Sequence, residues 1–455
     1  MQMDSITTFL DKYNQSVPRY TSYPSVPFWN QERFDVAEWK FRLNETFIHQ
    51  SGEVSIYIHL PFCEDLCTYC ACNKRITKNH AVEGPYIEAV IKEWSFYRHL
   101  LTGPAVIKEI HLGGGTPTFF SPDHLRQLIN GITEGCTVSE EHEFSVEVHP
   151  NYTTDLHLET LRALGFNRIS IGVQDFDPVV QGLINRIQTF QQTAHVFQKA
   201  REMGFKGVNI DLIYGLPGQT EEGISRTLKK VEVLRPDRIA FYSYAHVPWK
   251  SKVQRRYNDE DVPQGLRKWH MYRRGRQELL KMGYQAVGMD HFAWKEDKLM
   301  CAFRRGKLHR NFMGYTTSSN LLMIGLGASA ITDTWSAFSQ NERVVEIYQD
   351  KVRNGEFPIA AGHLLSRRDM VIRRFILSLM CNDQSIIPFS ELREAHIDYI
   401  LDKIPLLEED GLIQAVGDRI QLLPLGRMFV RNVVAIFDEY LLDRDMNVPI
   451  FSKAI

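Results

Sequence analysis

Residues 63–72 read CEDLCTYCAC and hold four of the chain's seven cysteines. Three of them, at C-x3-C-x2-C, can supply three thiolates to a cubic 4Fe-4S cluster, whose usual complement is four. An iron left without a protein ligand would be a Lewis-acidic position open to a small chelating molecule. A four-coordinate zinc site and a fully cysteine-ligated electron-transfer cluster use the same residue types. Zinc, however, usually pairs two separated arms, and no second arm stands out. The odd cysteine count and the tight spacing argue against a disulfide framework and for a reducing cytosol. Nearby, HLGGGTPT (111–118) follows a strand-like run. Glycine lets backbone approach a ligand or another strand closely, so this stretch fits a tight strand-to-helix turn as well as a binding loop. It lacks the lysine of a phosphate-binding loop and the spacing of a dinucleotide fingerprint, which argues against ATP and NAD.

The elements that must carry these residues alternate along the chain. Strand-like runs are VSIYIHL (54–60), IKEIHL (107–112), FSVEVH (144–149), RISIGV (168–173), GVNIDLIYG (207–215), RIAFYSYAH (238–246) and YQAVGMDHF (284–292). Between them lie amphipathic stretches such as YIEAVIKEWSFYRHLL and TFQQTAHVFQKAREMGF, whose apolar residues recur at helical spacing. Strand, crossover helix, strand predicts a parallel sheet, open or rolled into a full or partial barrel. In a barrel the chemistry sits at the C-terminal strand ends. Polar and glycine-rich residues fall at those ends seven times in succession, as in HLPFC, HLGGGTP, EVHP and GVQD, so one mouth lined by every loop is expected.

Three regions are expected: an N-terminal arm over 1–49, a catalytic barrel domain over 50–360, and a mostly helical C-terminal domain with a small β-hairpin over 361–455. The formal charge of -2 gives no global attraction to nucleic acid or an anionic membrane. No run of 18 apolar residues and no signal-like start is visible, so neither a membrane span nor secretion is expected.

Taken together, YIHLPFCEDLCTYCACNK, HLGGGTPT, SVEVHP, GVQDF and IDLIYGLPGQT resemble a radical S-adenosylmethionine (SAM) enzyme. The likeness is nearest to the oxygen-independent coproporphyrinogen III oxidases (dehydrogenases) of heme biosynthesis. It runs almost end to end, through PRYTSYP (18–24), GMDHFA, LHRNFMGYTT, IGLGASAI and RMFVRNVVAIFDEYL. The resemblance implies an α/β fold: a partial (β/α)6 TIM-type barrel with the arm and the smaller helical domain attached. It implies that Cys63, Cys67 and Cys70 ligate the cluster and that SAM chelates the open iron. A 5'-deoxyadenosyl radical then takes hydrogen from a substrate propionate, which loses carbon dioxide and an electron to become vinyl. Two propionates of coproporphyrinogen III react, giving protoporphyrinogen IX.

The resemblance also implies two SAM molecules. Tyr57, Gly114, Glu147 and Ile331 fall at positions expected to contact the first. Gly115, Thr116, Gln174, Arg186, Asp211 and Ala245 fall at positions expected to contact the second. Tyr69 stands where the family often has phenylalanine and is expected to pack on SAM. Cys72, the candidate catalytic residue, is expected beside the cluster facing SAM or substrate, since a ligand role would close the chelation site. The four carboxylates of the substrate call for cations, with Arg19, Lys74, Arg75, His309, Arg310, Arg373, Arg374 and Arg431 as candidates; His59 and His291 read equally as site or core residues. A monomer in the cytoplasm is expected, with an electron donor and an acceptor that the sequence does not identify. The rivals are a heme-binding chaperone of the same superfamily and a radical SAM enzyme for another tetrapyrrole. Such chaperones typically carry an aromatic residue at the position of Cys72 and lack the PRYTSYP arm.

Overall fold

The computed structural model describes residues 3–258, 260–442 and 450–453. Six strands carry the alternating runs: β1 (Glu53–Leu60), β2 (Val106–Gly114), β3 (Thr137–Val148), β4 (Arg168–Gln174), β5 (Gly207–Tyr214) and β6 (Arg238–Ser243). They pair in chain order and in parallel. A helix covers each crossover: Glu83–Leu100, Pro122–Thr133, Asp155–Ala163, Phe190–Glu202 and Glu221–Leu234, with Gly265–Lys281 following β6. Local chemistry sets the helix starts. Ser121 caps the second helix by accepting from His124 N, and Thr189 with Gln192 forms a reciprocal capping box at the fourth.

Side chains on these strands alternate with period two. One parity, Ile56, Ile58, Ile110, Leu112, Phe144, Val146, Ile169, Ile171, Val208, Ile210, Ile239 and Phe241, is fully buried in the main apolar core. The other parity is polar: Glu109, His111, Ser145, Glu147, Ser170, Asp211 and Tyr242 face a shared hollow. Strands β1 to β6, with Tyr57 of β1 stacked on His111 of β2, therefore curl around one lumen, which is the expected partial (β/α)6 barrel.

Two details depart from the sequence reading. Residues 284–292 form no single strand: β7 (Gln285–Val287) and β8 (His291–Ala293) pair antiparallel around a reversal at Gly288, whose φ is +61°. A Cβ there would lie 2.1 Å from the Tyr315 ring, so contact and backbone angle both demand glycine. The seventh parallel strand is instead β9 (Met323–Leu326), which lies on the free side of β1. From β9 the sheet runs on antiparallel through β10 (Ile331–Asp333), β11 (Ala337–Asn341) and β12 (Ile359–Leu364), giving twelve strands in all.

Beyond Arg367 the chain is mainly helical, with β13 (Gln384–Ile386), β14 (Ile413–Val416) and β15 (Arg419–Leu422) in a small sheet. The N-terminal segment packs between this part and the barrel. Arg431 Nε donates to Pro18 O at 2.9 Å, Tyr20 OH to Asp438 at 3.1 Å, and the Phe9 ring meets Phe429 edge-on at 5.1 Å. No helix among the described residues is long and apolar enough to cross a membrane.

Candidate active site

The C-terminal ends of the strands enclose a cavity of about 250 Å3. Cys63, Cys67, Cys70, Cys72, Tyr69, Gly114, Gly115, Thr116, Glu147, Gln174, Arg186 and Asp211 all line it. Residues as far apart in the chain as Cys63 and Asp211 thus meet because consecutive parallel strands end at one rim.

The cysteine loop is tied at its base and along its back. Phe62–Cys63 pairs with Arg75–Ile76, Ser251 Oγ donates to Cys70 O at 3.2 Å, and Gln254 Nε2 donates to Tyr69 O at 2.8 Å. Lys74 Nζ donates to Cys70 O at 3.0 Å. Two sulfurs receive hydrogen bonds, Cys63 from Thr116 Oγ1 at 3.4 Å and Cys67 from Arg186 Nη1 at 3.6 Å. Burial pushes the Cys63 thiol up to about 11, whereas a hydrogen bond from Cys72 holds Cys70 down to about 6 and in turn raises Cys72. Among the described residues no three His, Cys, Asp or Glu side chains close on one point as a single tetrahedral ion demands. A cubic cluster binds each thiolate through a different iron and so suits the more open triad.

The glycine run serves the turn. Gly115 N donates to Leu60 O at 2.8 Å and Thr116 N to Phe62 O at 2.9 Å, so these amides tie the turn after β2 to the end of β1 and to the start of the cysteine loop. Gly114 sits at φ +112°, and a Cβ there would lie 2.6 Å from the His59 ring; one at Gly115 would lie 2.6 Å from Pro61 backbone. His59 is satisfied on both nitrogens: Nε2 donates to Asn73 O at 2.9 Å and Nδ1 accepts from Tyr57 OH at 3.0 Å. Burial lowers its pKa, so it is a neutral positioning residue behind Gly114.

Glu147 and Asp211 present opposite electrostatics in the same cavity. Burial raises the Glu147 carboxyl, but His111 Nε2 at 3.2 Å and the Gly114 amide at 3.4 Å outweigh it, leaving Glu147 below the ordinary range. Asp211 is pushed up to about 6 by burial and then by the charge of Glu147, against a hydrogen bond from Ser170 Oγ at 3.0 Å. Arg186 donates to Gly172 O at 2.5 Å and keeps its Nε buried without a partner. Gln174, which ends β4, adopts φ +66°, a left-handed angle uncommon outside glycine, and this turns its side chain into the cavity.

The remaining candidates divide by location. Tyr57 stacks on His111 at 5.9 Å on the lumen side. Ala245 and Ile331 do not line the cavity: the Ala245 carbonyl accepts from Gln254 at 3.2 Å, and Ile331 packs beside Trp29, Phe338 and Leu365. Arg373 is taken up by Asp333 at 3.0 and 2.5 Å and by Trp335 O at 2.8 Å, which removes it from the carboxylate-binding candidates. Arg374 lies on a separate groove with Ser378 and Ile386, Arg75 pairs with Glu346 at 3.1 Å, and burial lowers His309 to about 4. Arg19 donates to Ser243 O at 2.8 Å at the end of β6, where Arg310 also lies with its Nε buried and unpartnered.

Three groups escaped the sequence reading. His111 bridges Ser145 at 2.7 Å and Glu147; its place two residues before Gly113 on β2 already put it on the lumen face. Tyr242 lines both the cavity and the lumen. Lys268 donates to Tyr244 O at 2.8 Å, and burial followed by the charges of Arg19 and Arg431 lowers it to about 7. It lies on a helix whose period gives no hint of the cations it meets.

Comparison with known proteins identifies the family and the fold. The Radical SAM superfamily matches residues 57–231. Oxygen-independent coproporphyrinogen III oxidase of Synechocystis sp. is 36% identical, over 98% of this chain and 97% of that protein. The protein of that name from Escherichia coli is 38% identical, over 97% and 96%. A solved structure of coproporphyrinogen III oxidase from Escherichia coli, described as a radical SAM enzyme, superposes with a TM-score of 0.86 at 35% identity, covering 95% of this chain and 98% of that one.

Proposed function

The chain belongs to the oxygen-independent coproporphyrinogen III oxidases, radical SAM oxidoreductases of heme biosynthesis, and from that membership we propose how its residues divide the work. The observation that carries the proposal is the convergence of Cys63, Cys67, Cys70, Arg186, Glu147 and Asp211 on one cavity at the strand ends. Cys63, Cys67 and Cys70 would hold a 4Fe-4S cluster and leave a position for SAM. The bound groups would supply hydrogen abstraction from a propionate side chain, whose carboxylate then leaves as carbon dioxide while one electron passes to an external acceptor, so that the side chain becomes vinyl.

The chain's own groups bind and orient. Thr116 and Arg186 donate to cysteine sulfurs, which draws charge off the thiolates and raises the potential of whatever they ligate. Glu147, kept ionised by His111 and the Gly114 amide, accepts from an ammonium or ribose hydroxyl of the first SAM. Gly114 and, from outside the cavity lining, Tyr57 and Ile331 complete that subsite. The free Nε of Arg186 fits the carboxylate of a second SAM, alongside Gly115, Thr116, Gln174, Asp211 and Ala245. Tyr69 packs on SAM. Cys72 stands at the cavity wall beside Cys70, facing SAM or substrate. Arg19, Arg310 and Lys268 cluster at the end of β6 and meet substrate carboxylates. We take the enzyme to act as a cytoplasmic monomer fed by an external electron donor.

The test is anaerobic reconstitution to about four irons per chain, followed by SAM-dependent carbon dioxide release from coproporphyrinogen III. Protein that cleaves SAM yet leaves the porphyrinogen intact, while binding heme stoichiometrically, would overturn the proposal.

A further inference from the structure

The cysteine loop has two sides. One faces the cavity, which substrate and cofactor fill under the reading above. The other is covered by residues 247–257, VPWKSKVQRRY. Their polar atoms grip the backbone of the loop directly: Ser251 Oγ on Cys70 O at 3.2 Å and Gln254 Nε2 on Tyr69 O at 2.8 Å. The outward face of the same segment is exposed and carries Lys250, Lys252, Arg255 and Arg256, beside a Trp249 that is 44% exposed. Across the loop lies Arg343, whose carbonyl accepts from Asn73 Nδ2 at 3.0 Å and whose charge acts on Lys250. Val344 beside it is 50% exposed.

None of these five cations has an ion-pair partner among the described residues. Of the acidic groups nearby, Glu346 pairs with Arg75 at 3.1 Å, Glu342 with Lys351 at 2.6 Å and Glu64 with His80 at 3.7 Å, Asp65 bonds Tyr152, and Asp261 accepts from Asn258 N at 2.9 Å, while Glu260 just past the end of the segment is exposed. Five cations against the Asp259, Glu260 and Asp261 that follow the segment in sequence leave a net positive charge beside exposed apolar surface on the back of this loop, in a chain of formal charge -2. A cationic field mixed with a large aromatic residue is the make-up of a transient protein interface whose association is steered by charge.

A cluster in this loop must be reduced from outside the chain, because the other cysteines, Cys136, Cys301 and Cys381, are isolated. Electron transfer decays steeply with distance, so the entry point is the surface nearest the ligands and not blocked by substrate. We propose that residues 249–256 together with Arg343 and Val344 form the docking surface for a small acidic one-electron donor protein, which is oxidised by one electron as the cluster is reduced by one. The inference rests on the cluster assignment to Cys63, Cys67 and Cys70.

The test compares reconstituted native chain with the Lys250→Glu/Lys252→Glu/Arg256→Glu variant, whose changed side chains are exposed and outside the cavity. Bleaching of the cluster absorbance is followed by stopped flow with three reductants: the hydroquinone of an acidic bacterial flavodoxin, dithionite, and reduced methyl viologen. The native rate with flavodoxin should fall steeply as salt rises from about 50 to about 300 mM. The variant should lose about tenfold or more at low salt and show a flatter salt dependence, while both small reductants work equally on the two proteins. Oxidised flavodoxin should also bind the variant at least about tenfold more weakly by flavin anisotropy. Arg343→Glu, on the other side of the loop, should act in the same direction. Unchanged flavodoxin reduction, equal loss with dithionite, or a raised KM for the porphyrinogen in the dithionite assay would each overturn the docking surface. Porphyrinogen conversion driven by dithionite reports separately on the proposed activity.

Discussion

Asp211→Asn should make the protein more stable and less able to bind SAM. Its carboxyl is held at about 6, against 3.8 for a free aspartate, by burial and then by the charge of Glu147. The folded state therefore holds this proton more tightly than the unfolded state. That advantage is fully present below about pH 3.8 and is lost as pH rises through about 6. Above pH 6 the native chain carries an ionised Asp211 at a cost of up to about 3 kcal/mol, which an uncharged asparagine avoids. The amide oxygen of that asparagine can still accept from Ser170, whose Oγ lies 3.0 Å from Asp211 Oδ1. At roughly 2 cal/mol/K per residue the unfolding entropy of a chain this long is near 1 kcal/mol/K. The stability difference thus corresponds to about 3 °C in Tm at pH 8 and about half that at pH 5. Calorimetry of the metal-free chain reads the shift at both pH values, and equilibrium dialysis against SAM with the reconstituted protein reads the cost. Loss of a charge-assisted hydrogen bond should weaken SAM about tenfold or more. A variant that is less stable at pH 8, or one stabilised equally at both pH values, would refute the electrostatic reasoning; unchanged SAM affinity would remove Asp211 from the subsite.

Two further outcomes follow from other contacts. Cys72→Ser should retain the iron content of the native protein while porphyrinogen turnover falls, because Cys72 is read as lining the cavity and not as a ligand; loss of iron in that variant would make it one. Arg373→Met should cost about 3–5 kcal/mol in denaturant unfolding, since it strands the buried Asp333 that Arg373 grips with both Nη atoms, and Arg373→Met with Asp333→Asn should recover part of the loss. A single variant that unfolds like the native chain would show that this pair contributes nothing net.

Much of the barrel was legible because burial writes a period into the strands. Ile56 and Ile58 alternate with Tyr57 and His59, and the same parity on β2 places Ile110 and Leu112 against helices while His111 faces inward. The cysteine spacing likewise survives translation to space, since a short loop cannot carry its own ligands far apart. The reading failed where long-range contacts decide. YQAVGMDHF looks continuous, and only the Tyr315 ring against Gly288 explains the reversal inside it. Met323–Leu326 is four residues among glycines and becomes a strand because β1 offers it an open edge. Arg373 resembles every other surface cation until Asp333, forty residues upstream, meets it in the core. Glu93 shows the same limit. In EAVIKEW it reads as the polar face of a helix, yet it is buried, raised to about 7 by desolvation, and accepts from Gly327 N at 2.8 Å, Tyr348 OH at 2.6 Å and Asn341 Nδ2 at 2.6 Å. Those three donors lie at least 234 positions away, on and beyond the turn that follows β9. A carboxylate satisfied by three distant groups is invisible to local pattern, and here it fastens the added strands to the barrel beside Tyr57 and the mouth of the site.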